Sequence, residues 1–296
     1  MKVLNYGSLN VDYVYSVDHI IVGGETQHSS KLEVFSGGKG LNQSIALAKA
    51  GVPVYHAGIV GTDGDILLEA CKEAGVNTKY IRRLPVKGGH TMIQVDKNAQ
   101  NCIILYGGTN QMQTKEFVDE VLADFGEGDY LILQNEINML DYIIDQAYEK
   151  KMKIVMNPSP FDDKLSTCDL SKVYLFLVNE IEGEQITGCK DKGQILDAMA
   201  AKFPNARFVL TLGSDGAVYY DGKEKVFQDI FKVKAVDTTA AGDTFTGYFI
   251  AAVIEGRSIQ EALRMAAKAS SIAVSRPGAT PSIPRADEVK KELGML

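Results

Sequence analysis

The chain has 296 residues, enough for two average domains or one large α/β domain. It is 45% apolar and 23% charged, with a net charge of −7 from 31 basic and 38 acidic side chains. An acidic balance without any Lys/Arg cluster argues against a nucleic-acid partner, and no apolar run reaches the length of a membrane span.

Four cysteines (Cys71, Cys102, Cys168, Cys189) lie far apart with no C-x-x-C spacing. Free thiols are expected, rather than a disulfide or zinc framework. The chain reads directly into a strand without a leader's apolar core, so a cytoplasmic enzyme is the expectation.

Short β-branched and aromatic runs alternate with helical patterns. Strands are expected at Val3–Gly7, Val54–Val60, Tyr130–Gln134, Lys153–Asn157, Tyr174–Val178 and Arg207–Leu212. Several are apolar on consecutive residues, which suits strands covered on both faces. Amphipathic helices are expected over 39–50, 64–75, 114–125, 139–151, 192–203, 243–256 and 259–275, with a polar helix at Arg285–Leu293. The alternation predicts a doubly wound α/β domain over 1–296, its mostly parallel sheet flanked by helices and its ligands beyond the strands' carboxyl ends. Two regions break the pattern. Residues about 12–35 and 88–108, the latter with Thr91–Asp96 and Asn101–Tyr106 joined by Lys97-Asn-Ala-Gln, predict a small separate sheet.

The segment Asp237-Thr-Thr-Ala-Ala-Gly-Asp-Thr-Phe packs two carboxylates, a small-residue turn and a helix start into nine residues. First-turn N–H groups lack intrahelical acceptors and carry partial positive charge, so the turn suits an anion. Asp243 at its mouth could take a proton from a hydroxyl while neighbouring amides hold a phosphoryl group. Its alternative role is a capping Asp after a tight turn. Ser36-Gly-Gly-Lys-Gly-Leu-Asn-Gln runs into the apolar helix Ser44–Ala50 and is not a Walker loop, because Lys39 is followed by Gly40. Gly37, Gly38 and Gly40 allow backbone to approach a polyhydroxylated ligand, with Lys39 and Asn42 as donors; a plain turn before a helix is the alternative. Gly7-Ser-Leu-Asn-Val-Asp is expected to end the first strand, where Asn10 and Asp12 can point into one pocket at period-two spacing. The four histidines fit no ligand spacing and are assigned no chemistry.

These stretches, with Asn157-Pro-Ser-Pro, Asn179-Glu-Ile-Glu, Thr211-Leu-Gly-Ser-Asp-Gly and Gly278-Ala-Thr-Pro-Ser-Ile-Pro, run nearly end to end in one order. That order resembles the ribokinase-like (PfkB) family of sugar and nucleoside kinases. The resemblance implies ATP-dependent phosphorylation of a sugar's primary hydroxyl, D-ribose foremost. Asp243 would be the base, and the amides of Ala241, Gly242 and Asp243 the anion hole. It assigns Asn10, Asp12, Gly38, Lys39, Gly40, Asn42 and Glu136 to the sugar. Asn179, Thr211, Gly213, Ser214, Gly216 and Gly242 fall to the nucleotide. Glu182 would reach Mg²⁺ through water. Asp237, Thr239, Ala273, Arg276, Gly278 and Ser282 would hold K⁺ as a monovalent-cation activator.

The small sheet becomes a lid over the sugar and the contact of a homodimer. Other readings remain at this point: hairpins without function, a surface charge at Glu136, a helix cap at Asn179 and a loop contact at Asp237. A kinase for another furanose, sugar acid or nucleoside, or a silent sugar-binding regulator, also fits. Two residues depart from the family pattern. Leu41 stands where Ala is typical and is expected to narrow the sugar pocket, and Ala267 stands where an adenine-side His can occur.

Overall fold

The computed structural model describes residues 1–98 and 100–295. Its main sheet has nine strands: β1 (Val3–Tyr6), β4 (Tyr55–Val60), β5 (Asn77–Arg83), β8 (Tyr130–Gln134), β9 (Lys153–Asn157), β10 (Leu175–Asn179), β11 (Arg207–Thr211), β12 (Ala217–Tyr220) and β13 (Lys225–Gln228). The order is β13-β12-β11-β10-β9-β8-β1-β4-β5. Strands β1, β4, β5 and β8 to β11 run parallel, and β12 and β13 add an antiparallel hairpin at one edge. The second sheet holds β2 (Asn10–Ser16), β3 (Lys31–Gly37), β6 (Gly89–Val95) and β7 (Asn101–Tyr106), in the order β3-β2-β6-β7. Of the expected turn Lys97-Asn-Ala-Gln, Ala99 lies outside the described residues; beside it, Asp96 Oδ1 accepts from the Asn98 and Gln100 amides.

Helices cover both faces of the main sheet. They are α1 (Lys39–Lys49), α2 (Asp65–Ala74), α3 (Lys115–Leu122), α4 (Leu140–Glu149), α5 (Glu180–Thr187), α6 (Ile195–Lys202), α7 (Ala241–Ile254), α8 (Ile259–Val274) and α9 (Ala286–Glu292). Successive side chains of a strand point to opposite faces, and the central strands feed two cores in turn. Tyr130 and Ile132 of β8 join one core while Leu131 and Leu133 join the other. Strand β10 divides the same way, Leu175 and Leu177 against Phe176 and Val178. The first core takes α1, α2, α7, α8 and α9; the second takes α3 to α6. Each fully buried Leu or Phe in these layers contributes roughly 1.5–3 kcal/mol. No described helix is long and apolar enough to cross a membrane.

Two features position the site. The strand order reverses between β1 and β8, so their carboxyl ends open a crevice where ligands of such sheets bind. Helices α1 and α7 then cross closely, since a Cβ on Gly247 would stand 2.4 Å from Ala46 Cβ. That contact brings the two helix starts together over the crevice.

Helix α1 starts at Lys39, as the stretch 39–50 predicts, so Lys39 to Asn42 form its first turn; Gly38, at φ 92°, makes the entry. Two local expectations change. Asn10 and Asp12 open β2 of the small sheet rather than ending β1. Leu41 has no exposed surface and packs into the first core, so its isobutyl group does not narrow an open pocket.

Candidate active site

Asp243 stands in the first turn of α7, only 6% exposed. Its Oδ2 accepts from Asn42 Nδ2 at 3.0 Å and its Oδ1 from Gln43 Nε2 at 2.9 Å. Ala240 enters the helix at φ 58°, a left-handed conformation, and only small side chains flank it. Of the three expected anion-hole amides, Ala241 N–H donates to Thr238 O at 3.2 Å. Gly242 and Asp243 keep first-turn N–H groups of the kind that attract anions. A Cβ added to Gly242 would meet nothing within 4 Å, so the backbone there borders open space.

That space is a cavity of about 880 Å³ at the carboxyl ends of β10 and β11. All six residues expected at the nucleotide line it: Asn179, Thr211, Gly213, Ser214, Gly216 and Gly242. Ala267 lines it too, with an apolar wall from Phe245 at the end of the Asp237 segment and further walls from Ile230, Phe231, Val233 and Val274 that no motif announced. Asn179 and Glu182 form a reciprocal cap on α5. Glu182 N donates to Asn179 Oδ1 at 2.9 Å, while the Glu182 carboxylate accepts from Asn179 N at 3.1 Å and Nδ2 at 3.0 Å.

On the other side of Asp243 lie the residues expected at the sugar. Glu136 Oε2 accepts from the Lys39 amide at 3.0 Å and from the Ser8 hydroxyl. Asn10 Oδ1 accepts from Asn110 Nδ2 at 2.7 Å, and Asp12 Oδ1 from Thr91 Oγ1 at 2.6 Å. Burial pushes the Asp12 carboxyl up to about 6, against the pull of the Thr91 hydroxyl and with the Glu136 charge adding to the rise. Burial likewise raises Glu136, although Lys39 and Ser8 oppose it. Burial presses the Lys39 ammonium down, but Asp243, Glu136 and Glu182 together outweigh this and hold it above its ordinary value.

Gly40 is required by close approach: a Cβ there would lie 2.4 Å from Ser8 N and 2.6 Å from Gly7 C. Gln43, Asn110, Gln134 and Asn157, which link these groups, were given no role by the sequence reading, although Gln43 closes the glycine-rich stretch and Asn157 opens Asn157-Pro-Ser-Pro. Gln134 is signalled only as a polar residue in the otherwise apolar strand β8.

Asp237 joins the two segments expected at the cation. Its Oδ1 accepts from Thr239 N at 2.8 Å and its Oδ2 from Gly278 N at 2.9 Å. Burial alone would raise this carboxyl, but the Thr239 and Gly278 donors overcome it and hold it below its ordinary value. Ala273 and Ser282 are buried nearby in sequence, and the Arg276 side chain turns away to pair with Glu288.

The chain matches the model of the pfkB family carbohydrate kinases over residues 1–286 and belongs to that family. It is 33% identical over 295 residues to a ribokinase of Haemophilus influenzae, covering 95% of each chain. A ribokinase structure from Thermotoga maritima superposes with a TM-score of 0.88 at 32% identity, covering 99% of both chains. The Arabidopsis thaliana ribokinase complexed with ribose and ATP gives 0.86 at 29% identity, over 99% of this chain and 98% of that one.

Proposed function

We propose that this carbohydrate kinase transfers the terminal phosphoryl group of ATP to the primary hydroxyl of D-ribose, giving ribose 5-phosphate. The observation that carries the reading is the place of Asp243. It touches Asn42 from the sugar side and stands beside Gly242, whose backbone borders the 880 Å³ cavity. Asp243 takes the hydroxyl proton, and the amides of Gly242 and Asp243, with Ala241 at the same turn, receive the developing charge. Phosphoryl transfer asks mainly for positioning and charge stabilisation, and these groups supply both.

Asn10, Asp12, Gly38, Lys39, Gly40, Asn42 and Glu136 hold the sugar in this reading. Carboxylate and amide pairs accept and donate in one plane, which suits vicinal hydroxyls. Asn179, Thr211, Gly213, Ser214, Gly216 and Gly242 hold the nucleotide. Among the described residues, no group of three His, Cys, Asp or Glu side chains could hold a metal ion. Both oxygens of Glu182 already accept from Asn179. Mg²⁺, which keeps several waters, therefore fits as an ion carried by the phosphates and reached from Glu182 through water. It supplies charge neutralisation to the transferring group. K⁺ fits between Asp237 and the loop after α8, with Thr239, Ala273, Arg276, Gly278 and Ser282 offering oxygens.

In the same reading the segments about 12–35 and 88–108 form a lid on the single domain, and the lid pairs two chains. Leu32, Met92, Ile104 and Tyr106 are exposed on one face of the small sheet, and Ile103 and Leu105 on the other, apolar surface that asks for cover. Sedimentation velocity reads this directly, and a monomer at assay concentration contradicts it. The four unpaired cysteines suit the cytoplasm.

The deciding experiment for the substrate is coupled ADP release over ribose, deoxyribose, fructose, common sugar acids and nucleosides. Ribose is expected to give the highest kcat/KM. A nucleoside or sugar acid turning over far faster would overturn the ribose assignment.

A further inference from the structure

A chain of buried side-chain amides runs from the core to Asp243. Asn5 Nδ2 donates to Gly40 O at 2.7 Å, which leaves Asn5 Oδ1 to accept from Gln134 Nε2 at 3.0 Å. Gln134 Nε2 also donates to Gln43 Oε1 at 2.7 Å. At the other end, Asn157 Nδ2 donates to Leu177 O at 2.9 Å, so Asn157 Oδ1 faces Gln43 Nε2 at 3.2 Å. Backbone carbonyls cannot exchange roles, and two of them anchor this chain. The Gln43 amide is therefore fixed from both sides, with its N–H₂ group on Asp243 Oδ1 and Asn157 Oδ1.

The arrangement has a cost. Gln134 Oε1 is buried with no partner, and it fills the space where a Cβ on Gly7 would stand, at 2.2 Å. A buried polar atom left unsatisfied destabilises a fold. That oxygen is the cost of placing the Gln134 Nε2 donor between Asn5 Oδ1 and Gln43 Oε1, where it orients the Gln43 amide.

We infer that Gln43 is a positioning residue: oriented by Gln134 and Asn157, it holds the Asp243 carboxylate from the core side and so fixes how that group faces the reacting hydroxyl. This rests on the reading of Asp243 as the base. The charged groups at this end of the cleft are Lys39 on α1, Glu136 after β8 and, acting through Lys39, Glu182 on α5. None of them hydrogen-bonds Gln43.

The test compares Gln43→Met, Gln43→Glu, Gln134→Leu and Asp243→Asn by thermal denaturation and by kcat and KM across pH, with ATP and ribose. Gln43→Met removes both donors at similar length. It should lower kcat roughly ten- to hundredfold, the loss expected for a hydrogen bond to a charged group, while KM for ATP moves by less than about threefold. Gln43→Glu keeps the acceptor for Gln134 but sets a carboxylate beside Asp243. Two such groups share a proton, so the acid limb of kcat should move up by about one pH unit or more.

Gln134→Leu removes the group that orients Gln43 and also the unpartnered oxygen. It leaves Asn5 Oδ1 and Gln43 Oε1 without their donor, so thermal stability should fall somewhat, but kcat should drop while KM for ATP moves by less than about threefold, a split that a merely structural role would not produce. It carries the test if Gln43→Met fails to fold. Wild-type kcat and an unmoved acid limb in the Gln43 and Gln134 variants, beside an inactive Asp243→Asn, would overturn this inference alone. An active Asp243→Asn would overturn the reading beneath it.

Discussion

The Asn42 amide donates to the Asp243 carboxylate at 3.0 Å, joining residues 201 positions apart. Asn42 sits in the first turn of α1 and Asp243 in the first turn of α7, so this bond, with the one from Gln43, links the glycine-rich segment to the proposed base. Behind it, Gly247 against Ala46 sets the helix crossing. The proposed sugar and anion sites are thus one packed unit.

The glycines at these two helix starts should separate by function. Gly40→Ala forces a methyl against the Ser8 and Gly7 backbone and should cost about 1–3 kcal/mol of stability. Gly242→Ala meets nothing in the protein, so stability should stay within about 0.5 kcal/mol. Its methyl enters the cavity, and kcat/KM for ATP should fall roughly ten- to hundredfold, as small misplacements at a reacting centre do. Thermal melts beside ATP titrations check both. A Gly242→Ala enzyme with wild-type kinetics would remove this turn from the phosphate site.

Asp12 links stability and pH with a definite sign. Burial raises its carboxyl from 3.8 to about 6 in the fold, so the folded state binds this proton more tightly than the unfolded chain. The ionised group therefore weakens the fold above about pH 6, and the penalty fades as the pH falls toward 3.8. Asp12→Asn should then stabilise the protein by about 1–3 kcal/mol at pH 7, with no gain near pH 4. The same change should raise KM for ribose, and wild-type KM should rise as the pH drops below about 6. Destabilisation by Asp12→Asn at pH 7 would contradict the burial argument, and an unchanged KM would remove Asp12 from the sugar site.

Activity should rise with K⁺ and not with Na⁺. The Asp237 carboxylate is tied to Thr239 and Gly278, on either side of the proposed ion, and an ion there would set the backbone leading into α7. Asp237→Ala should abolish the activation. Initial rates in cation-exchanged buffers decide it, and equal rates in K⁺ and Na⁺ count against the site.

In the main sheet the strands legible in the sequence are the doubly covered ones, where consecutive apolar residues leave no ambiguity; β6 and β7 of the small sheet were legible as a pair of runs joined by a turn. Edge strand β5, Asn-Thr-Lys-Tyr-Ile-Arg-Arg, buries only Tyr80 and carries no such run, so it was missed. The β12–β13 hairpin was missed although its Asp221-Gly222 turn was a usable signal. Helix α5 shows little apolar periodicity and was seen only through its Asn179 start. In the site, every residue expected at the nucleotide lines one cavity, because glycine turns after strands leave a motif. The roles of Gln43, which closes the glycine-rich stretch, and of Gln134 were not legible for the opposite reason: they depend on which side chains meet across 91 and 200 positions. The start of α1 was legible in the stretch 39–50, but why Gly40 stands inside it was not: the glycine is needed for a helix pressed against Gly7 and Ser8.

The central claim is that Asp243 removes the hydroxyl proton. Asp243→Asn keeps the shape of the side chain and an oxygen to accept from Asn42 or Gln43, while removing the base. The measurement is kcat with ribose and ATP beside Kd for each ligand. The account predicts a fall in kcat of about 10²–10⁴-fold with both ligands still bound. Turnover near that of the wild type, with ligand binding intact, would contradict it.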